Sequence, residues 1–291
     1  MVTTQVQYRN GVDKRAGQCV EKVFVTPEIA GQWLARNTAN RRLSKGHVDS
    51  LEAVLVRGEW MLNGETIKFS GDGRLLDGQH RLHACVNSGV GFWTYVAYGV
   101  ESDAFDTIDT NLRTRRTSDI LGIHGKENAT HLAACVKLLW VFGMTGQFYE
   151  GGGGCNGFSP RVCLDILSRR PGINDSVARC AGVRVFSSPS LLAAVHYLFA
   201  CSNAEMASEF VSVMADGSSE LERPFHILRE SVINRRLSVR RIGGRQLAFM
   251  AIRAWNSEIT ANWIKKVYYK PNEDFPQIAG LNYERLSSDY V

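Results

Sequence analysis

The chain has 291 residues, of which 44% are hydrophobic and 22% charged, and its formal net charge is +5. This length and composition predict a soluble, globular protein that buries a real core in one large domain or two ordinary ones. No apolar run approaches the roughly 18 residues of a membrane span, and the polar N-terminal residues lack the apolar core of a signal peptide, so we expect a cytoplasmic protein without a membrane partner.

The first 60 residues predict an arm followed by two helices. Residues 1–22 are polar and lack periodicity, which is typical of an irregular segment. The Thr-Pro-Glu sequence at 26–28 then indicates a helix start, with a threonine cap, a proline in the first turn and an acid near the positive end of the dipole. A polar, basic turn at 37–42 separates this helix from a second one that ends at Gly58.

The next segment predicts a small α+β unit. Residues 66–76 alternate around a Gly-Asp-Gly turn, as a β-hairpin does. The returning strand leads directly into an amphipathic helix to about residue 86. A further strand at 92–100 is rich in aromatic and β-branched residues.

The remainder of the chain is predicted to be mainly helical, with candidate helices at 129–142, 159–169, 188–200, 205–214 and 244–256. We therefore expect the α+β fold class, with an α+β domain at 23–119 and a helical domain at 120–291. Trp140, Trp255 and Trp263 lie in apolar helical patterns and are expected to fill the core.

The cysteines and the basic residues carry weaker signals. Seven cysteines without a C-x-x-C pair indicate neither a disulfide framework nor a zinc ribbon, and most are expected to be buried. Residues 235–270 hold nine Lys or Arg against the single acid Glu258, which suits either DNA or a solvated helical face. The arginines that would contact DNA are Arg235, Arg236, Arg240, Arg241 and Arg245.

The junction between the hairpin and its helix reads Asp77-Gly78-Gln79-His80-Arg81. A glycine at a strand end lets an anion approach the backbone, and the helix start offers unpaired N–H groups and a positive dipole end. Arg81 can bind phosphate through two hydrogen bonds, His80 can donate or move a proton, and Asp77 can hold a metal ion or orient the histidine. The alternative is structural: Asp77 caps the helix, His80 packs at a contact and Arg81 forms a surface salt bridge.

Two neighbouring segments offer further candidates. Glu65, just before the hairpin, is expected near the turn as a general base or Mg²⁺ ligand, or else as a plain turn acid. Asp109 and Arg113 follow the last strand and suit a metal-nucleotide or a nucleic acid backbone, although a helix start capped by Thr117 or Ser118 explains part of this pattern.

The order helix, polar Asn/Arg turn, helix, hairpin and D-G-Q-H-R-L resembles the ParB/sulfiredoxin-like superfamily over about residues 24–100, especially the D-G-Q-H-R proteins of phages and mobile elements. The resemblance implies that the turn at 77–81 binds nucleotide phosphates and that Asn40 and Arg41 match the first conserved loop of ParB proteins. If the gene is phage-borne, the protein would act in the bacterial host cytoplasm.

The motif also departs from its relatives. Gln79 stands where sulfiredoxins carry the reactive cysteine of G-C-H-R, which excludes sulfinic acid repair by a cysteine there. Gln79 and His80 replace the Glu-Arg of ParB G-E-R-R, while D-G-H-H-R is the pattern of free-serine kinases in this superfamily. The sequence therefore predicts a nucleoside triphosphate bound with Mg²⁺ and a hydrolase or phosphotransferase, with a DNA-binding module or nuclease and a non-catalytic interaction factor as alternatives.

Overall fold

The computed structural model describes residues 18–38, 40, 42–101, 115–149, 157–186, 188–217, 223–237, 242–270 and 273–284. The chain divides into two compact units between Thr114 and Arg115, slightly before the domain boundary expected near residue 119. Over the described ranges it contains four strands and eleven helices, so the predicted α+β class is confirmed. None of the described helices is long and apolar enough to cross a membrane.

The first unit contains all four described strands and three helices. In chain order these are β1 (Cys19–Val25), α1 (Pro27–Leu34), α2 (Lys45–Val56), β2 (Thr66–Ser70), β3 (Leu75–Asp77), α3 (Gln79–Ser88) and β4 (Phe92–Val100). The predicted helices, the hairpin and the last strand all form close to their expected places. Thr26 caps α1 as predicted, accepting a hydrogen bond from the Ile29 backbone at 3.3 Å.

The four strands form one mixed sheet in the order β1-β4-β2-β3. β4 runs antiparallel to β1 and parallel to β2, while β2 and β3 form the antiparallel hairpin. A parallel pair needs a crossover connection, and β3 and α3 provide it between β2 and β4. The inward-facing Ile67 and Val96 pack with Leu82 of α3 in a core that α1 and α2 also enter.

Strand β1 begins at Cys19, inside the segment for which the sequence indicated no regular structure. Most of its side chains are exposed, and Glu21 and Lys22 interrupt its apolar residues. Its pairing with β4 extends from Cys19 opposite Tyr98 to Val25 opposite Phe92. The strand therefore forms because a neighbouring strand supplies its hydrogen bonds, which a local pattern does not reveal.

The second unit is helical throughout its described residues. Its helices are α4 (Thr117–Ile123), α5 (Ala129–Thr145), α6 (Pro160–Arg169), α7 (Gly172–Cys180), α8 (Pro189–Ser202), α9 (Ala204–Asp216), α10 (Pro224–Leu237) and α11 (Gly244–Ile259). Helix α8 is the centre of the core, with all ten residues from Ser190 to Phe199 buried. Helices α7 and α10 were not among those expected from the sequence, although Ile173, Val177 and Cys180 of α7 recur at helical spacing and are buried.

Two details of this unit correct the sequence-based expectations. Trp140 and Trp255 are buried as predicted, but Trp263 is 52% exposed, so its placement in the core was wrong. It lies beyond the end of α11, where the Arg223 guanidinium is 5.9 Å from its ring. At the start of α4, the capping interaction comes from Asp119, whose carboxylate accepts from the Arg116 backbone at 2.8 Å, rather than from Thr117 or Ser118.

Candidate functional site

The turn between β3 and α3 strongly favours glycine at its second position. Gly78 has φ +106°, a conformation that residues with a side chain rarely adopt. A Cβ at this position would lie 2.8 Å from Cγ1 of Ile67, which belongs to the core. The glycine thus serves the fold by allowing close packing of turn against strand, besides any role in admitting an anion.

The side chains of Gln79, His80 and Arg81 at the start of α3 are all buried. They leave the helix in different directions, because successive helical residues are about 100° apart. Gln79 accepts a hydrogen bond from the Asn37 amide at 3.1 Å. His80 accepts one at Nε2 from the Ser44 backbone at 3.1 Å. Arg81 turns toward β2 and donates to the Thr66 carbonyl at 2.8 Å. The motif therefore anchors three segments around the helix start.

The polar turn between α1 and α2 lies beside this helix start. The Asn40 amide donates to Asn37 Oδ1 at 2.9 Å and to the Leu75 carbonyl at 3.1 Å. Asn37 in turn reaches Gln79, so Asn40 is connected to the motif through one side chain. Arg41 lies outside the described residues.

Glu65, Lys68, Asp77 and Arg81 form what we call the charged cluster. Asp77 Oδ2 lies 2.7 Å from Lys68 Nζ and 3.4 Å from Arg81 Nη2. Arg81 Nη1 lies 3.9 Å from Glu65 Oε2, the carboxylate that was expected near the turn. The structure therefore brings Glu65, Asp77 and Arg81 together, and it adds Lys68, which the sequence reasoning did not select.

One atom of the charged cluster lacks a hydrogen-bond partner. The Arg81 side chain is only 10% exposed, and its Nη1 is buried without a hydrogen bond. The Glu65 carboxylate, 3.9 Å from Nη1, is 71% exposed, so most of its charge interacts with solvent. A buried, unsatisfied donor on a cation costs on the order of 1–3 kcal/mol. An acceptor that reaches Nη1 would remove this cost.

The same contacts assign different tasks to the two carboxylates. Asp77 is already held by two cations, and a metal ion there would compete with both. Glu65 is the more accessible carboxylate. Among the described residues, no group of three or more His, Cys, Asp or Glu side chains is placed to hold a metal ion. A metal at this site would need ligand oxygens from a bound phosphate in addition to Glu65.

His80 is placed as a packing residue in this arrangement. Its Nε2 accepts from the Ser44 backbone, and its ring lies 5.0 Å from the ring of His47. Protonation at Nε2 would break the bond to Ser44, where α2 begins. The expected proton transfer by His80 therefore stays a prediction, one that requires this contact to open.

The remaining predicted residues lie in the second unit or outside the described residues. Arg245 donates to Gln147 Oε1 at 2.5 Å and stacks 4.9 Å from the Phe275 ring, so its guanidinium is engaged within the second unit. Arg235 lies in α10, and nothing is described of the Arg236 side chain. Asp109, Arg113, Arg240 and Arg241 lie outside the described residues. DNA binding by the basic segment stays a prediction.

A sequence signal for Lys68 exists in retrospect. It lies between the buried Ile67 and Phe69, so it points to the opposite face of the sheet. It also pairs with Asp77 across the hairpin, which places opposite charges side by side.

Comparison of the chain with protein-family models, with curated proteins and with solved structures finds no match.

Proposed function

We propose that the charged cluster and the helix start beside it bind the phosphate groups of a nucleoside triphosphate, with Mg²⁺, and that the protein hydrolyses or transfers a phosphate. The observation that supports this proposal is the buried Nη1 of Arg81, which has no hydrogen-bond partner. Arg81 is fixed by its bonds to the Thr66 carbonyl and to Asp77, so Nη1 is preorganised. A phosphate oxygen is the acceptor best suited to a guanidinium donor.

The surroundings of Nη1 also favour an anion. Lys68 supplies a second positive charge within the same cluster, 27% exposed. The N-cap residue of α3 is Gly78, which has no side chain to cap the helix, and the positive end of the helix dipole favours an anion nearby. Phosphate would replace Glu65 as the anion beside Nη1 of Arg81.

The reaction would depend on Glu65. Once displaced from Arg81, its exposed carboxylate is the group best placed to share Mg²⁺ with the phosphates or to accept a proton from the nucleophile. Asp77 would act as a positioning residue that holds Lys68 and Arg81. We also propose that the first unit is a ParB/sulfiredoxin-like domain followed by a helical domain, as the resemblance of the motif to that superfamily implies.

Binding is tested by thermal shift with ATP, CTP, GTP and UTP, each with and without Mg²⁺, on the parent and on Arg81→Lys. Lysine keeps the charge and the possibility of one bond to Thr66, whereas alanine would remove a structural hydrogen bond as well. We expect one nucleotide to raise the melting temperature of the parent. The Arg81→Lys variant should bind that nucleotide more weakly by about 1.5–3 kcal/mol. The control is Arg57→Lys, because Arg57 forms a surface ion pair with Glu59 in the same unit. Equal shifts for Arg81→Lys and the parent would contradict the proposal.

Chemistry is tested separately with Glu65→Gln. If Glu65 supplies a metal ligand or a base, phosphate release falls by at least about 100-fold. Phosphate affinity should rise slightly, because a competing negative charge near Arg81 is removed. Full activity in Glu65→Gln would reject Glu65 as the reacting carboxylate and leave phosphate binding intact.

A further inference from the structure

The sheet of the first unit has two unlike faces. Its inner face packs against the helices, with Ile67, Val96 and Val25 among the residues fully buried there. Its outer face carries the alternate residues of the same strands, and several of its large side chains are exposed. The outward-facing positions are Val20, Lys22 and Phe24 of β1, Trp93, Tyr95 and Ala97 of β4, and Thr66 and Lys68 of β2.

An aromatic pair lies at one end of this outer face. Trp93 is 48% exposed and Phe24 is 43% exposed, and their ring centroids are 5.3 Å apart. Lys22 extends over Trp93, with Nζ 4.8 Å from the ring centroid. Exposed aromatic rings leave apolar surface in contact with water, and their flat faces can stack with other rings.

The charged cluster borders the same face. Thr66 of β2 pairs with Tyr95 of β4, and Trp93 lies two residues before Tyr95 on the same strand. With the usual spacing of strands and residues, the Cα atoms of Thr66 and Trp93 are on the order of 8 Å apart. Arg81 binds the Thr66 carbonyl, so a phosphate at Arg81 and a base at Trp93 would be separated by about the reach of a nucleotide.

The charges of the outer face match a polyanion. In β1, β2 and β4, all fully described, the outward-facing positions contain two lysines, Lys22 and Lys68, and no acid. The neighbouring charged cluster holds two cations and two carboxylates, so the excess positive charge of this face comes from Lys22. A ligand with flat bases and a phosphate backbone uses both the aromatic rings and the cations.

We propose that this outer face binds single-stranded nucleic acid, with bases stacked on Trp93 and Phe24 and backbone phosphates near Lys22 and Lys68. The inference rests on the proposed function only in placing one phosphate of the strand at Arg81. Duplexes bind less well, because their bases are already stacked and paired and do not reach the side chains. Stacking depends on the π face of the base, so the site tolerates many sequences.

The experiment is fluorescence anisotropy of a labelled oligothymidylate of about 20 nucleotides, long enough to span one such face. The parent should bind the single strand more tightly than a duplex of equal length. Trp93→Leu should weaken binding by about 5- to 150-fold, and Phe24→Leu should act in the same direction. Both residues are a little under half exposed and lie outside the buried core, so the leucine variants should keep the fold of the parent. If one variant fails to fold, the other carries the test.

The matched control is Trp263→Leu, which removes a similarly exposed tryptophan from the second unit. Unchanged binding in this variant supports the assignment. An abasic strand that binds as well as oligothymidylate would overturn it, as would equal affinity of Trp93→Leu and the parent. The proposal would also be overturned if the parent binds no single strand, and this is the result expected if the outer face instead joins two copies of the chain.

Arg81→Lys separates this inference from the proposed function. Strand binding that depends on Trp93 but not on Arg81, with no nucleotide shift, would uphold the stacking face and reject the phosphate site. A nucleotide shift that depends on Arg81, with no strand binding, would do the reverse.

Discussion

Gly78→Ala is the sharpest test of how the turn before α3 is built. The substitution adds a single methyl group between a strand and a helix. At φ +106° that methyl group meets unfavourable backbone contacts and lies 2.8 Å from Ile67 Cγ1. Ile67 is fully buried in the sheet core and has little freedom to move.

The expected loss of stability follows from these two effects. A residue with a side chain in a sparsely populated backbone region costs about 1–3 kcal/mol. Overpacking a core costs about 1–3 kcal/mol more. Alanine regains about 0.4–1 kcal/mol by restricting the unfolded chain. Together these ranges give a fall in the free energy of unfolding of the first unit of about 1–6 kcal/mol, and their midpoints give about 3 kcal/mol.

Hydrogen exchange of β2, α3 and β4 is the appropriate assay, because a chain with two compact units need not unfold in one step. The most protected amides should exchange about 140-fold faster in Gly78→Ala, which is the midpoint loss of about 3 kcal/mol at about 1.4 kcal/mol per factor of ten. The control is Gly46→Ala, since Gly46 lies in α2 with open space around it and should gain up to about 1 kcal/mol. Protection in Gly78→Ala equal to that of the parent would refute the reasoning.

Two further predictions concern the second unit and the thiols. Burial lowers the pKa of the His196 imidazole to about 4. As pH falls, the imidazole is therefore protonated near pH 6.5 in the unfolded chain but only near pH 4 in the folded chain. Stability should therefore fall by about 3 kcal/mol as pH falls from 6.5 to 4, and chemical denaturation of His196→Gln should lack this component. Alkylation with iodoacetamide should modify the exposed Cys19 and Cys201 in the folded protein and leave the buried thiols, whose pKa burial raises, unmodified until unfolding. Those protected thiols are Cys85, Cys135, Cys163 and Cys180. Equal alkylation of both groups, or a pH dependence retained in His196→Gln, would contradict these expectations.

The sequence by itself determined the elements whose signals are local. A threonine cap followed by proline indicates the start of α1, and the structure shows the Thr26 cap in place. The Gly-Asp-Gly turn predicts the hairpin, and the aromatic, β-branched run predicts β4. The Asp-Gly junction marks the strand-to-helix turn, because the backbone conformation at Gly78 admits few other residues. Each of these signals depends on residues a few positions apart, whose backbone preferences and capping hydrogen bonds do not depend on the rest of the fold.

Only the tertiary structure decided which of these residues meet. Strand β1 exists because β4 lies beside it, and Trp263 is exposed because the chain has left α11 before reaching it. The pairing of Lys68 with Asp77 required the hairpin register. The placement of Glu65 beside Arg81 required α3 to pack against β2, and the helix geometry separated His80 from Arg81 although they are adjacent in sequence. These contacts join distant or differently directed side chains, and their positions follow from the packing of the whole unit, which no short stretch of sequence specifies.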